Sequence, residues 1–472
     1  MSLQKVLCNG VLFCLLACLL SGCEPSLPPP SAKDELVVII HSGPLTYDTK
    51  GDPDDPEEET ARMPAGFEHD LVRMFAEEWG IPVRFVVVPR HEVRRRLARH
   101  EGHLAASWLS PVPSDKRFLA SEPLLETRDV LVRHEAALSI RDLEQLAGQT
   151  VYVNRGGRQF HILEELKKTR LPDLRIAIFP SDSPLDLLQA VARREVEIAL
   201  VDQAALSLGL NYFPMLEGGM EIGPPMPIVW LFPADGDPQV RERAGKFIAE
   251  VKARQTLAKL RDRYMGHLER LRPTDIMAFL ARMENRLPRY QKFFQEAQQE
   301  TAIDWRLLAA LSYQESHWDP LNTSYTGVRG IMMLTEATAD RMGVSNRLDP
   351  VESIRAGARY LSLLKSYIPE STPEPDRTWQ AIAAYNLGPG HFNAARRLAG
   401  RQGVDGDSWF EMKRILPLLA RPEYYQRLKS GRARGGEAVI MVENIRLFYD
   451  ILLRYQSPLQ AAQNEQDEEI AG

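Results

Sequence analysis

A single glutamate in the last third of the chain has the setting of a general acid. Glu315 follows the apolar residues Leu308 and Leu311 by seven and four positions, so a helix places these side chains on one face. Burial of that face disfavours a charged carboxylate and raises its pKa, which suits a proton donor near neutral pH. Spacing alone leaves a second interpretation open, in which Glu315 lies beyond the helix end and pairs with an arginine.

The sequence offers few partners for this acid. Most glycosidases use two carboxyl groups; the nearest other acids along the chain are Asp319, a predicted turn residue before Pro320, and Glu336.

All four cysteines lie at or before position 23, so the folded part has no disulfide, no thiolate nucleophile and no cysteine metal site. The net charge of −6 gives no basic excess for nucleic acid, and we expect no nucleic-acid partner.

The length and composition predict several globular domains. The 472 residues are 44% hydrophobic and 26% charged, which excludes a wholly disordered, collagen-like or polytopic membrane protein. Residues 36–268 alternate strand and helix signals, which predicts a mostly parallel sheet covered by helices, and a long helix over Gln239–Tyr264. Residues 269–457 are almost purely helical, and the polar, acidic residues 458–472 are predicted to be disordered.

The N-terminus reads as an export signal. Lys5 precedes the apolar run Val11–Leu20, which is shorter than the roughly 20 residues that span a bilayer, so residues 1–22 are predicted to be a signal peptide. The run ends at Leu20-Ser21-Gly22-Cys23, which resembles the bacterial lipobox and implies lipidation of Cys23. An ordinary cleaved signal with a chance cysteine is the alternative.

A lipidated Cys23 would begin a proline-rich tether over residues 23–35. Glu24 stands at the second position of that mature chain, where an aspartate would favour the inner membrane. We therefore expect a periplasmic protein that is anchored by lipid to the outer membrane.

Residues 36–268 resemble the extracellular solute-binding proteins of family 3. The resemblance rests on the order of elements, on Gly66–Leu71, on Glu195–Asp202 and on the closing segment Leu257–Tyr264. It implies a two-lobed α/β domain like the periplasmic binding proteins. It also implies that Asp202 and Arg117 bind an effector, through its ammonium and its carboxylate respectively. Asp202 could equally be a turn residue at a strand end.

Four segments of the last third resemble the successive motifs of soluble-lytic-transglycosylase-like domains. They are Glu315-Ser316, Gly327–Leu334, Ala383–Gly390 and Gly435–Tyr449. The resemblance implies a mainly helical, lysozyme-like fold that cleaves peptidoglycan, with Glu315 as catalytic residue. It places the following residues in the substrate cleft: Ser316, Met332, Met333, Tyr385 and Asn386. Tyr425 is a further candidate that would stack on sugar or pack in the core.

Met333 departs from the family pattern, which usually has glutamine at this position. Methionine cannot donate the hydrogen bonds of an amide. We therefore expect Met332 and Met333 to pack the cleft wall rather than to touch the reacting atoms.

The resemblance also implies a mechanism. Glu315 protonates the β-1,4 bond between N-acetylmuramic acid and N-acetylglucosamine, and the C6 hydroxyl then attacks C1 to leave a 1,6-anhydromuramyl end. The reaction consumes no water and needs no metal or organic cofactor, so the enzyme is a lyase, acting from strand ends (exo) or within strands (endo). Its partners would be glycan strands and, at the first domain, a muropeptide or stem-peptide effector. The first domain would either sense this effector or only bind the enzyme to the wall. The alternatives for the whole chain are a receptor with a degenerate lysozyme-like tail and a hydrolytic muramidase.

Overall fold

The computed structural model describes residues 35–48, 65–325, 327–427 and 431–456. The predicted signal peptide, the lipidation site Cys23 and the acidic tail 458–472 lie outside the described residues, as does the tether apart from Glu35. Of the helices in the described ranges, none combines the length and apolar character needed to cross a membrane.

The described residues form two compact units. One contains the described parts of 35–203 and 217–260, and the other those of 204–216 and 261–456. The chain passes into the second unit at residue 204 and again at residue 261, and the boundary between residues 268 and 269 stays a prediction.

Two separate sheets, one for each lobe, organise the α/β part of the chain. In spatial order the first sheet runs β2-β1-β3-β11-β4, with β5 paired to β11, and the second runs β10-β6-β9-β7-β8. The strands are β1 (Leu36–Ile40), β2 (Val83–Val87), β3 (Leu104–Leu109), β4 (Phe118–Ala120), β5 (Leu125–Thr127), β6 (Asp129–His134), β7 (Thr150–Asn154), β8 (Arg175–Phe179), β9 (Ile198–Asp202), β10 (Leu216–Glu221) and β11 (Met226–Pro233). The apolar strand β1 is buried along its whole length.

Both sheets mix strand directions, so the prediction of a mostly parallel sheet was wrong. β1 is parallel to β2 and β3, whereas β11 is antiparallel to β3, β4 and β5. In the second sheet β7 is parallel to β8 and β9, whereas β6 is antiparallel to β9. The chain enters β11 only after passing through the second sheet, so no β–α–β crossover sets the direction of this strand.

In the described ranges seven helices come between or directly after the strands along the chain: α1 (Phe67–Trp79), α2 (Val93–Ala98), α3 (Gln159–Thr169), α4 (Pro184–Ala192), α5 (Gln203–Leu210), α6 (Pro238–Ala253) and α7 (Thr256–Met265). A short 3₁₀ turn, Arg90–Glu92, precedes α2. The long helix that was predicted over Gln239–Tyr264 is broken into α6 and α7. Gln255 between them adopts the left-handed conformation, with φ of 59°, which cannot continue a helix.

The last third of the described chain is helical. Its helices are α8 (Pro273–Asn285), α9 (Gln291–Thr301), α10 (Trp305–Ser316), α11 (Glu336–Met342), α12 (Pro350–Ser366), α13 (Asp376–Leu387), α14 (Pro389–Arg401), α15 (Trp409–Ile415), α16 (Pro422–Tyr425) and α17 (Gly435–Tyr455). A two-lobed α/β part followed by a mainly helical part confirms the predicted fold class.

Helix α10 lies at the centre of the helical unit. It packs against α9 and α17, and every residue from Trp305 to Tyr313 is buried. The expectation of a single apolar face was therefore too narrow, because neighbours cover this helix on several sides. Asp304 caps its start by accepting a hydrogen bond from the backbone nitrogen of Arg306 at 2.8 Å.

Candidate active site

Glu315 lies in the last turn of α10, within the helix rather than beyond it. Its side chain is partly exposed, whereas Ser312 and Ser316 on either side are buried. Burial raises the pKa of the Glu315 carboxyl from 4.5 to about 8. Across residues 35–48, 65–325, 327–427 and 431–456, no hydrogen bond or ion pair reaches this carboxyl. The second interpretation of the sequence, in which Glu315 pairs with an arginine, is therefore wrong for the described residues.

The helix ends at Ser316, one residue after Glu315. His317 and Trp318 both adopt left-handed conformations, with φ of 54° and 56°. The indole nitrogen of buried Trp318 donates to the carbonyl oxygen of Ala309 at 2.9 Å, and Arg286 donates to the carbonyl oxygen of His317 at 3.2 Å. These contacts fix the end of α10 and with it the backbone that carries Glu315.

A tight turn over residues 330–333 forms the second predicted motif. The Met333 nitrogen donates to the carbonyl oxygen of Gly330 at 3.0 Å. Gly330 has φ of 86°, and a Cβ added there would lie 1.9 Å from the carbonyl oxygen of Arg347. Only glycine fits this position, for both conformational and steric reasons.

Side chains from two helices hold this turn in place. The hydroxyls of Ser312 and Ser316 both donate to the carbonyl oxygen of Ile331, at 3.0 and 2.8 Å. The Met332 nitrogen donates to the hydroxyl oxygen of Ser353 at 3.3 Å. Ser312 and Ser353 were not among the predicted site residues. Ser312 lies four residues before Ser316 on the same helix face, and this spacing could have indicated Ser312 as a site residue.

The two methionines of the turn lie in different environments. The Met332 side chain is fully buried and occupies the space where a Cβ of Gly357 would lie. Met333 is partly exposed and has φ of 48°. Burial of Met332 agrees with wall packing rather than direct contact with a ligand.

Tyr385 joins the third motif to this turn. Its hydroxyl donates to the carbonyl oxygen of Met332 at 2.9 Å, and its ring lies 5.4 Å from that of Tyr360. Burial, followed by the charge of nearby Glu315, raises the pKa of the Tyr385 hydroxyl well above 10. The predicted residues Glu315, Ser316 and Tyr385 are therefore brought together around one turn.

The remaining predicted residues make none of the hydrogen bonds that hold this turn in the described part of the chain. Asn386 is exposed in the last turn of α13, and Tyr425 is partly buried at the end of α16. Neither makes a hydrogen bond or ring contact with Glu315 in the described part of the chain. The fourth motif contacts the start of α10. The hydroxyl of Tyr449 donates a hydrogen bond of 3.2 Å to the carboxylate of Asp304, the residue that caps this helix.

The two predicted effector-binding residues both have partners within the chain. Buried Asp202, at the end of β9, accepts hydrogen bonds from Arg158 at 2.7 Å and from Thr127 at 2.9 Å. Exposed Arg117 binds Asp115 through two nitrogens, at 2.8 and 2.9 Å. Arg117 lines a cavity of about 530 Å³ in the α/β unit, and Asp202 is not among the residues that line it.

The comparisons with known proteins cover both parts of the chain. The model of the transglycosylase SLT domain matches residues 292–406, and that of the bacterial extracellular solute-binding proteins, family 3, matches residues 52–267. Both resemblances seen in the sequence are thereby confirmed.

Relatives match over nearly the whole length. The membrane-bound lytic murein transglycosylase F of Methylobacillus flagellatus is 41% identical over 93% of this chain and 93% of its own. The proteins of the same name from Thiobacillus denitrificans and Nitrosospira multiformis are 40% and 39% identical, over 94% and 93% of this chain and 92% and 91% of theirs. With this identity over this coverage, the chain belongs to the family of membrane-bound lytic murein transglycosylase F.

Proposed function

We propose that the protein cleaves the β-1,4 bond between N-acetylmuramic acid and N-acetylglucosamine in peptidoglycan without water, leaving 1,6-anhydromuramyl ends. The observation that carries this proposal is the state of Glu315. Its carboxyl lies in the last turn of α10 with no partner in the described residues, and burial raises its pKa to about 8, which favours the protonated form near neutral pH.

The reaction then needs one carboxyl group in two successive roles. Protonated Glu315 gives its proton to the glycosidic oxygen as the bond to C1 breaks, and the substrate's N-acetyl group stabilises the positive charge at C1. The Glu315 carboxylate next accepts the proton of the C6 hydroxyl, whose oxygen bonds to C1. The enzyme is thereby returned to its starting state, and the bond broken is replaced by the new bond inside the muramyl ring.

The surroundings of the other acids support a single-carboxyl mechanism over a water-using muramidase. Asp319 accepts a hydrogen bond from the backbone nitrogen of Leu321 at 3.0 Å, as a turn residue does. Glu336 is exposed in the first turn of α11. Ser316 and Tyr385 act as positioning residues that hold the turn beside Glu315, while Met333, Asn386 and Tyr425 are proposed to line the path of the glycan strand.

Replacing Glu315 by glutamine tests the assignment. We expect Glu315→Gln to lower turnover on purified peptidoglycan by about 10²–10⁴-fold, the usual contribution of a general acid, while the protein stays folded. Glu336→Gln is the matched control and should keep wild-type turnover. A fully active Glu315→Gln variant, or an inactive but folded Glu336→Gln variant, contradicts the assignment.

The anchor and the effector complete the proposal. The lipobox-like segment ending at Cys23 and the membrane-bound character named in the relatives support a lipid anchor at the periplasmic face of the outer membrane. Cys23→Ala should therefore release the protein from the membrane fraction. The solute-binding likeness of the first part supports a muropeptide or stem-peptide effector, which should change turnover on purified glycan when it is added.

A further inference from the structure

The cavity of the α/β unit is lined by an unusual number of cations. Its walls come from both lobes, since residues 90–117 flank the first sheet and residues 154–178 flank the second. Four arginines and one aspartate are the fully charged side chains that line it: Arg90, Arg94, Arg117, Arg158 and Asp115. At about 530 Å³ it has room for a ligand of small-peptide size.

Two of these arginines have a carboxylate partner and two do not. Arg117 is bound to Asp115, and Arg158 is bound to Asp129 and Asp202. Arg90 and Arg94 donate to backbone carbonyl oxygens, those of Trp108 at 3.5 Å and Ser110 at 2.6 Å, and the Arg94 guanidinium also lies 5.7 Å from the centre of the Phe118 ring. Within the described ranges neither of the two contacts a carboxylate.

Several buried donors around the cavity, from both lobes, also lack a partner in the described part of the chain. They are Arg90 Nε, Trp108 Nε1, Ser110 Oγ and Arg158 Nη1, and each residue is at least nine-tenths buried. Buried polar groups without partners are uncommon in proteins, and a cluster of them around a cavity points to a ligand that accepts hydrogen bonds. Burial and the charge of Arg158 lower the pKa of Arg90, and the charges of Asp202, Asp129 and Asp182 oppose this effect. An anion in direct contact with Arg90 would further stabilise its charged form.

The acids near the cavity are already engaged. Asp129 and Asp202 face each other in register across β6 and β9 and share the guanidinium of Arg158. Asp182 binds His91 at 2.7 Å. The loop that carries Arg158 packs closely against the backbone of His91. Gly156 permits this contact, because an added Cβ there would lie 2.6 Å from the Cα of His91. A ligand ammonium would therefore have to displace Arg158 to reach Asp202.

We propose that this cavity binds a ligand with two carboxylate groups, which pair with Arg90 and Arg94, and that it requires no ammonium group on the ligand. The free donors around the cavity bind the anion. Arg158 occupies Asp202, the aspartate that could otherwise have bound an amine. This proposal rests on the proposed effector and specifies its chemistry. Because ligand binding is measured without glycan, a failure to bind is distinct from a failure of the lytic activity.

Calorimetric titration of the purified full-length protein in detergent tests this with three probes. N-acetyl-alanyl-glutamate has two carboxylates and no amine, alanyl-glutamine amide has an amine and no carboxylate, and inorganic phosphate is a different oxyanion. We expect saturable binding of the first alone. Absence of saturation by it at up to about 10 mM, or binding of the amide or phosphate in its place, overturns the proposal.

Two substitutions locate the site. Arg94→Gln, at a partly exposed position that should tolerate the change, is expected to weaken binding of N-acetyl-alanyl-glutamate by about ten-fold or more, and so is Arg90→Gln if it folds. Arg99→Gln is the matched control, an exposed arginine of the same basic segment outside the cavity. Equal binding by Arg94→Gln and wild type, with both folded, would place the ligand elsewhere and overturn the proposal.

Discussion

The hydroxyl of Ser316 donates a hydrogen bond of 2.8 Å to the carbonyl oxygen of Ile331, and the hydroxyl of Ser312 donates to the same oxygen at 3.0 Å. Ser316 directly follows Glu315, and Ile331 belongs to the turn that Tyr385 also contacts through Met332. One peptide oxygen thus ties the helix that carries the acid to the turn beside it. The position of the turn relative to Glu315 depends on these few hydrogen bonds.

This arrangement predicts a graded effect of removing the two hydroxyls. Ser312→Ala or Ser316→Ala should each lower the free energy of unfolding by about 0.5–1.5 kcal/mol, because the Ile331 oxygen keeps one donor. The double variant leaves that buried oxygen without a side-chain donor and should cost more than the sum of the two, with a matching fall in turnover. Urea unfolding and glycan turnover measure both effects. Strict additivity with unchanged turnover would show that the turn does not depend on this oxygen.

Gly330 and Gly327 form a matched pair for the geometry of the turn. Both have positive φ, of 86° and 80°, but only at Gly330 does an added Cβ meet the backbone, 1.9 Å from the Arg347 oxygen. Gly327→Ala should cost about 1–2 kcal/mol from conformation alone, and Gly330→Ala about 3 kcal/mol or more. Urea unfolding of the two variants gives the comparison. Equal losses would mean that steric contact at Gly330 has no role.

The raised pKa of Glu315 predicts the alkaline limb of the activity profile. The acid must be protonated to donate, so turnover should fall about ten-fold per pH unit above about pH 8. The profile is measured on purified peptidoglycan, with circular dichroism at each pH to confirm folding. A profile that stays flat to about pH 10 would mean that Glu315 does not act as a proton donor.

The same shift predicts how Glu315 affects stability. Its pKa is about 8 in the folded protein and near 4.5 when exposed, so the folded state binds more protons between these values. The free energy of unfolding therefore falls as the pH rises from about 4.5 to about 8. Glu315→Gln should match wild type near about pH 4 and exceed it near about pH 9, by at most a few kcal/mol, since the partly exposed carboxylate keeps some solvation. Urea unfolding at the two pH values measures this, and a variant less stable at the higher pH contradicts it.

The sequence predicts the helix that carries Glu315 because the information for it is local. The spacing of Glu315 from Leu308 and Leu311 placed the acid on a buried helix, and the four motifs gave the order of the surrounding elements. The spacing of Ser312 and Ser316 shows that the two hydroxyls share a helix face, but nothing in the sequence shows that both donate to the carbonyl oxygen of Ile331. Local periodicity also could not show that α10 is covered on several sides.

In the α/β part, the contacts of the predicted residues depend on segments that are distant along the chain. Asp202 and Arg117 are suitable residue types for an ammonium and a carboxylate, yet the structure binds them to Arg158 and Asp115. Asp202 and Arg158 lie far apart along the chain and meet only once β6, β7 and β9 have paired. Arg94 was not among the predicted effector-binding residues. Its contact with Ser110 at the end of β3 depends on a packing that sequence alone does not specify.

The most direct test of the account is the chemistry of the new chain ends. Purified peptidoglycan is digested by the protein in water labelled with heavy oxygen, and the released fragments are weighed. The account predicts fragments lighter by one water than the reducing sugars, without label, and none from Glu315→Gln. Reducing ends that carry heavy oxygen would show that water attacks C1, and would contradict the proposed mechanism.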